Sequence, residues 1–366
     1  MFTPLIRFFK VLFLLLTLLM SSNAVVSQSN NNLNSGKTFP ETDLKGEIKE
    51  KIYELKYSDP NLAISICLNA LEENIPLGPN LFSLYLYSTL GELYLKKNLP
   101  VLALSYLQDA MYEYELIKRE GIKFSNSKPT QQPWLTLDIG NIFFQQGDYE
   151  KAEERYKISL NYFYKIDSLL PKIRGLSTTM NNLALVNIEL GEYNIALDYI
   201  HKALDLRTEY NLNPVDILHS YKSLCELYYV WNMQDKGNLY LAKTDSANNL
   251  IQKQITENFR NWDDITFKLS ENYVGNCYEY KGEYLFRQKR FDQALIAYNI
   301  ASKYYGKFTF QRVSLLNKKA NVYYMLSDYE NCLKVIEESS FQPDRIVLEG
   351  VCVSLRLQLS VGFLAV

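Results

Sequence analysis

The chain has 366 residues, 47% of them hydrophobic, enough to bury a large core, and 39 basic residues against 41 acidic ones leave a net charge of −2. So even a balance excludes a grip by bulk charge on a nucleic acid or an anionic bilayer. Five cysteines at long separations, with no C-x-x-C, and only two histidines also fail to give the spacing of a metal or dithiol centre.

The first 27 residues differ in kind from the rest. Arg7 and Lys10 precede a run from Val11 to Met20 that is apolar except for Thr17, and small or polar residues, Ser21-Ser22-Asn23-Ala24 and Val25-Val26-Ser27, follow. A basic segment, a short apolar core and small residues beyond it spell a secretory signal, with cleavage expected after Ala24 or Ser27 and Ser27 preferred. The run falls short of the ~20 residues that favour a spanning helix. No cysteine follows it to take a lipid, so membrane attachment is expected only through an uncleaved signal. Residues 28–43 open with QSNNNLNSGK and read as an Asn/Ser-rich linker.

From 44 to 346 one spelling recurs. Windows of 34 residues begin near Leu44, Leu84, Pro133, Ser177, Leu218, Gly275 and Val313, with the longest insertion at about 252–274. The eighth place of the last six windows holds Gly91, Gly140, Ala184, Cys225, Gly282 and Ala320. The twentieth place holds Ala63, Ala103, Ala152, Ala196, Gly237, Ala294 and Cys332, and the twenty-seventh Ala70, Ala110, Ser159, Ala203, Thr244, Ala301 and Ser339. Twenty of these 21 slots are small, Lys51 being the exception, which is what close backbone approach at fixed places demands. Larger fillers lie between them: Tyr94, Phe143, Tyr228, Leu285 and Tyr323 on first helices, Leu107, Tyr156, Ile200, Leu241, Tyr298 and Ile336 on second helices.

Each window is therefore expected to be a helix–turn–helix unit, and units that stack build a solenoid. The prolines agree. Pro60 and Pro100 fall where second helices start, and Pro133, Pro171 and Pro214 fall between units or at a unit's first residue. Gly147-Asp148 and Gly191-Glu192 supply a helix stop followed by an acidic start. Cys67, Cys225 and Cys332 occupy packing places and read as buried small hydrophobes rather than disulfide partners. The spelling ends before 347–366 (VLEGVCVSLRLQLSVGFLAV), which is read as a C-terminal cap or a truncated tail.

These residues resemble the tetratricopeptide repeat family over 44–346, most clearly in the units from Pro133 and Ser177. The resemblance implies an all-α, right-handed α-solenoid of about seven repeats whose concave face binds proteins or peptides. The export signal and Asn/Tyr-rich composition are similar to exported repeat proteins of the Bacteroidetes group, which often form the sensor region of histidine kinases or regulators. The chain is thus expected to be a non-enzymatic exported scaffold in the periplasm or cell envelope of a Gram-negative bacterium, holding a protein or peptide. The alternatives are the sensor ectodomain of a separately encoded or truncated signalling protein, or a carbohydrate-uptake binding component.

No H-E-x-x-H, G-x-S-x-G, Walker loop or G-x-G-x-x-G occurs, so no catalytic residue, metal or cofactor is expected. By the family's pattern, first-helix places two, five, six, nine, twelve and thirteen line the concave face. They select Trp134, Asn141, Asn181, Asn182, Lys222, Glu226, Tyr229, Asn317 and Asn321 as candidate peptide-binding residues. Asparagine suits such a groove because its amide both donates to and accepts from a peptide backbone. Trp134 and Tyr229 are the expected apolar anchors.

Overall fold

A computed structural model describes residues 41–74, 78–124, 132–257, 264–305 and 310–340. The signal, nearly all of the linker and the tail at 347–366 lie outside the described residues. The chain divides into two compact units, Met1–Gly46 and Glu47–Val366. Of the first, only 41–46 is described, and it is helical, so helix begins inside the stretch assigned to the linker.

Among the described residues there are fourteen α-helices and no strand. In chain order they fall into pairs: α1 (Glu41–Ser58) and α2 (Pro60–Asn74), α3 (Leu81–Lys96) and α4 (Pro100–Arg119), α5 (Gln132–Gln145) and α6 (Tyr149–Tyr164), α7 (Leu169–Glu189) and α8 (Tyr193–Glu209). The remaining pairs are α9 (Pro214–Val230) with α10 (Gln234–Glu257), α11 (Asp264–Arg287) with α12 (Phe291–Tyr304), and α13 (Phe310–Met325) with α14 (Tyr329–Ser340). From α3 onward each first helix packs on its own second helix, and each second helix packs on the first helix of the next pair. The protein is an all-α helical repeat solenoid.

The small places do what their spacing requires. A Cβ added to Gly91 would sit 2.5 Å from Leu107, and one added to Gly282 would sit 2.4 Å from Tyr298. The eighth place of a first helix is thus the seat of the bulky filler on the second helix of the same unit. At the twentieth place Ala63, Ala103, Ala152, Ala196, Ala294 and Cys332 are all fully buried. Lys51, the large exception, is exposed, and its neighbour Ile52 enters the core instead.

The turn inside each unit is built alike. Asn98, Gly147, Gly191, Asn232, Lys289 and Ser327 all have positive φ, and all stand at the fifteenth place. The amide one residue further on reaches back to the last turn of the helix: Asp148 N–H to Phe143 O at 2.9 Å, Glu192 to Asn187 at 2.8 Å, Arg290 to Leu285 at 2.9 Å. This is a Schellman closure, which satisfies carbonyls the helix end leaves open. Glycine adopts the left-handed conformation without strain, so only Gly147 and Gly191 announce the turn in the sequence.

Two boundaries differ from expectation. The stretch around 252–274 is mostly helix, because α10 runs on to Glu257 and α11 starts at Asp264. The extension is held by apolar contact, with Ile251 buried against Val215 and Leu218 and with Leu269 and Tyr273 packed alongside. Helix α7 likewise starts at Leu169, well before Ser177, and carries Pro171 in its first turn, where a missing N–H costs nothing.

Cys67, Cys225, Cys277 and Cys332 are buried free thiols. Burial pushes the Cys67 thiol up to about 12, and burial likewise raises Cys225 and Cys332. At pH 8 a thiol near 12 is only roughly 1 part in 10,000 thiolate, the form that reacts. Iodoacetamide is therefore expected to spare these four thiols in the native chain and to label all of them in guanidinium, as read by peptide mass spectrometry. Rapid native labelling of Cys67 would contradict its placement in the core.

Candidate functional site

The first helices run side by side, α5 beside α7, α7 beside α9 and α9 beside α11. Their fifth and ninth places form two rows of side chains crossing successive units. The fifth place holds Leu137, Asn181, Lys222, Glu279 and Asn317, and the ninth holds Asn141, Leu185, Glu226, Glu283 and Asn321. One row thus mixes amides and charges at equivalent positions on consecutive helices.

Asn141 and Asn182 are brought together. The Asn141 Oδ1 accepts from the Tyr156 hydroxyl and from Asn182 Nδ2, each at 2.8 Å, so the pair bonds α5, α6 and α7 to one another. Their amides are occupied by the protein itself. Asn181 differs: it is fully buried, and neither Nδ2 nor Oδ1 has a hydrogen-bond partner among the described residues. Asn317, at the same repeat place two units on from Lys222, has a buried Oδ1 that also lacks a partner among the described residues. A buried amide left unpaired costs about 1–3 kcal/mol. Asn321 is exposed on α13.

Charge gathers on α9 and α11. Lys222 Nζ lies 2.7 Å from Glu226 Oε2, with the side chains only 8% and 12% exposed. The same ammonium sits 5.3 Å from the centre of the Tyr280 ring, a cation–π contact that links the two helices. Burial, then Glu226, Glu279 and Glu283, drive the Tyr280 hydroxyl well above its ordinary range. Lys318 pairs with both Glu279 and Glu283. Burial pulls Lys318 down, but the two carboxylates outweigh it and hold the ammonium above its usual value. Glu279 also receives the Tyr305 hydroxyl at 2.6 Å.

Two expected anchors are corrected. Tyr229 is fully buried; its ring lies 5.6 Å from that of Tyr284 and its hydroxyl donates to Asn238 Oδ1 at 2.8 Å. Trp134 is 6% exposed and packs edge-on against Phe163 at 4.8 Å. Both rings are core, because a neighbouring helix closes over the twelfth place and over the start of α5. The two histidines are far apart in role. His201 is exposed, while His219 stacks on Tyr273 at 5.1 Å and lies 3.4 Å from Arg207. No group of three or more His, Cys, Asp or Glu among the described residues is placed to hold a metal, and no described helix is long and apolar enough to cross a membrane.

Glu189, Glu279 and Glu283 were not selected from the sequence. All three stand at places of the same face, thirteenth, fifth and ninth, so applying the register to the sixth unit would have found two of them. Two surface depressions, of about 180 and 400 Å³, lie away from this face along α11–α12 and α9–α10 and include none of the candidate residues.

Residues 176–211, the α7–α8 pair, match the tetratricopeptide repeat family model. No curated protein matches the sequence. Among solved structures, a Rap protein complexed with competence and sporulation factor is similar at 15% identity, with 81% of this chain and 78% of that one covered and a TM-score of 0.54. The apo form of RapI is similar at 14% identity, with 81% and 96% covered and a TM-score of 0.51. A tetratricopeptide repeat protein from Parabacteroides merdae aligns at 14% identity over 86% and 97%, with a TM-score of 0.45. The first two likenesses show the helical repeat fold.

Proposed function

We propose that this chain is a non-enzymatic scaffold that holds a peptide or an extended protein segment along the fifth- and ninth-place rows of its first helices. The observation that carries this reading is the pair of rows itself, in which amides and charges stand at equivalent places on adjacent first helices. A peptide backbone offers one N–H and one C=O per residue, and an exposed amide of these rows such as Asn321 can meet both. The Rap structure of the same fold was crystallised with competence and sporulation factor bound, which supports the use of this architecture to hold a ligand. Arg7, Lys10 and the apolar run to Met20 support action outside the cytoplasm. N-terminal sequencing of the mature chain tests that part, with a start at Val25 or Gln28 expected.

The test of binding uses a display library of random dodecapeptides selected against the full chain. Peptides recovered on the parent are expected to bind Asn321→Ala about 2- to 10-fold more weakly, the range that one net hydrogen bond of about 0.5–1.5 kcal/mol gives. The variant is also expected to melt with the parent, because Asn321 is exposed. No recovered peptide, or equal binding to both proteins, would refute the reading. A drop in melting temperature would make Asn321 a structural residue.

A further inference from the structure

Within the array, each unit is closed on one side by the unit that follows. In the third unit the Tyr149 hydroxyl donates to Glu189 of α7 at 3.2 Å. In the fourth, the Tyr193 ring lies 5.5 Å from that of Trp231, just past the end of α9. In the fifth, Tyr284 of α11 covers both the Tyr229 ring, at 5.6 Å, and Gln234, to which its hydroxyl donates at 3.2 Å. These contacts fall at the twelfth and seventeenth places, and the twenty-first lies one turn beyond the seventeenth on the same side of the second helix. At these three places no residue from the second unit to the sixth is exposed.

The seventh unit breaks that rule. Its residues at the same places, Tyr324, Tyr329 and Leu333, are 38%, 43% and 41% exposed. Tyr324 and Tyr329 stand edge-on to each other at 6.0 Å, and no eighth unit follows among the described residues to cover them. Residues 347–366 offer a surface with the same need. Thirteen of the twenty are apolar, and only Glu349 and Arg356 are charged. Six residues, 341–346, separate this segment from the end of α14 at Ser340. Six extended residues reach at most about 20 Å, and the rise along α14 from Tyr329 to Ser340 is about 16 Å. The tether therefore spans the whole face. A connection this short holds the segment at a roughly millimolar effective concentration, so even weak apolar contact suffices to seat it.

We propose that 347–366 is the occupant of this face: its apolar side chains pack over Tyr324, Tyr329 and Leu333 of the same chain and close the seventh unit as a following unit closes the others. The assignment is independent of the groove reading, because these three places lie outside the fifth- and ninth-place rows. Covering the face also removes an apolar end on which further copies of the chain could stack.

Hydrogen–deuterium exchange of the full chain, read by mass spectrometry, tests this against the full chain carrying Leu355→Asp and Leu359→Asp. Two carboxylates resist burial against tyrosine and leucine, so they release the segment while leaving every packed unit unaltered. Amides of 329–340 are expected to exchange about tenfold faster in the variant, while α5–α8 keep the parent's rates. In the reciprocal variant, Leu333→Asp, the changed residue is exposed and the unit keeps its fold, and exchange within 347–366 is expected to quicken. Equal exchange at 329–340 in parent and tail variant, or no change in 347–366 with Leu333→Asp, overturns the proposal. Protection of 329–340 that grows with protein concentration also overturns it, and gives the face to a second copy of the chain.

Discussion

Replacing Phe163 with alanine is expected to lower the unfolding free energy by about 3–5 kcal/mol, the usual cost of emptying a buried aromatic site. Phe163 is fully exposed to no solvent: its relative exposure is 0%. Its ring lies edge-on to Trp134 of α5, and on the other side it fills the space where Gly175 of α7 has no side chain. A Cβ on Gly175 would come within 2.1 Å of the ring carbons, so Gly175→Leu in the parent is also destabilising, by overpacking. The two changes should not add. With the ring gone, the leucine occupies the vacated volume, and the double variant is expected to recover at least about 1 kcal/mol relative to the sum of the single changes. Urea denaturation of the four proteins decides the matter. Strict additivity would mean that Phe163 and Gly175 do not share one packing site, and the junction between the third and fourth units would have to be redrawn.

That junction illustrates what the sequence makes legible. Steric exclusion leaves a mark at every copy but the first, where Lys51 is exposed, because a bulky residue buried at the eighth, twentieth or twenty-seventh place overpacks the contact. Gly140, Ala152 and Ser159 therefore report their own packing. The left-handed turn is marked only where glycine serves it. Lys289 and Ser327 adopt the same positive φ, at a cost of about 1–2 kcal/mol, because the Schellman hydrogen bonds around them hold the turn regardless of the residue.

The face residues were legible as places but not as roles. Place identity comes from the helical period, which the chain repeats faithfully. Role depends on which neighbour reaches in, and that is set by the next unit. Tyr229 reads as an anchor until Tyr284 packs over it. Asn141 reads as a free amide until Tyr156 and Asn182 occupy its oxygen. Asn181 and Asn182 are adjacent and chemically identical, yet only Asn182 finds a partner among the described residues. A one-residue step turns a helical side chain by about 100°, so one amide meets the preceding unit and the other does not.

Lys222→Met is expected to cost about 3–5 kcal/mol, the price of breaking a buried ion pair from one side. The loss comes less from the vanished attraction than from what remains: Glu226, 12% exposed in its side chain, is left without its cation and beside the raised, buried Tyr280 hydroxyl. Two consequences follow from that cause. Removing both charges, with Lys222→Met and Glu226→Leu together, is expected to recover most of the loss, since apolar groups of similar volume need no pairing. Removing Glu226 alone also strands a charge, the Lys222 ammonium, which keeps its contact with the Tyr280 ring and so is expected to suffer less than the carboxylate does. The order of stability is therefore parent and double variant close together, Glu226→Leu below them, and Lys222→Met lowest. If the double variant proved as unstable as Lys222→Met, the lost Lys222 contact with the Tyr280 ring, which joins α9 to α11, would be the source of the loss and not the stranded carboxylate. If instead it matched the parent, the stranded charge would be the whole source of the loss in the single variants.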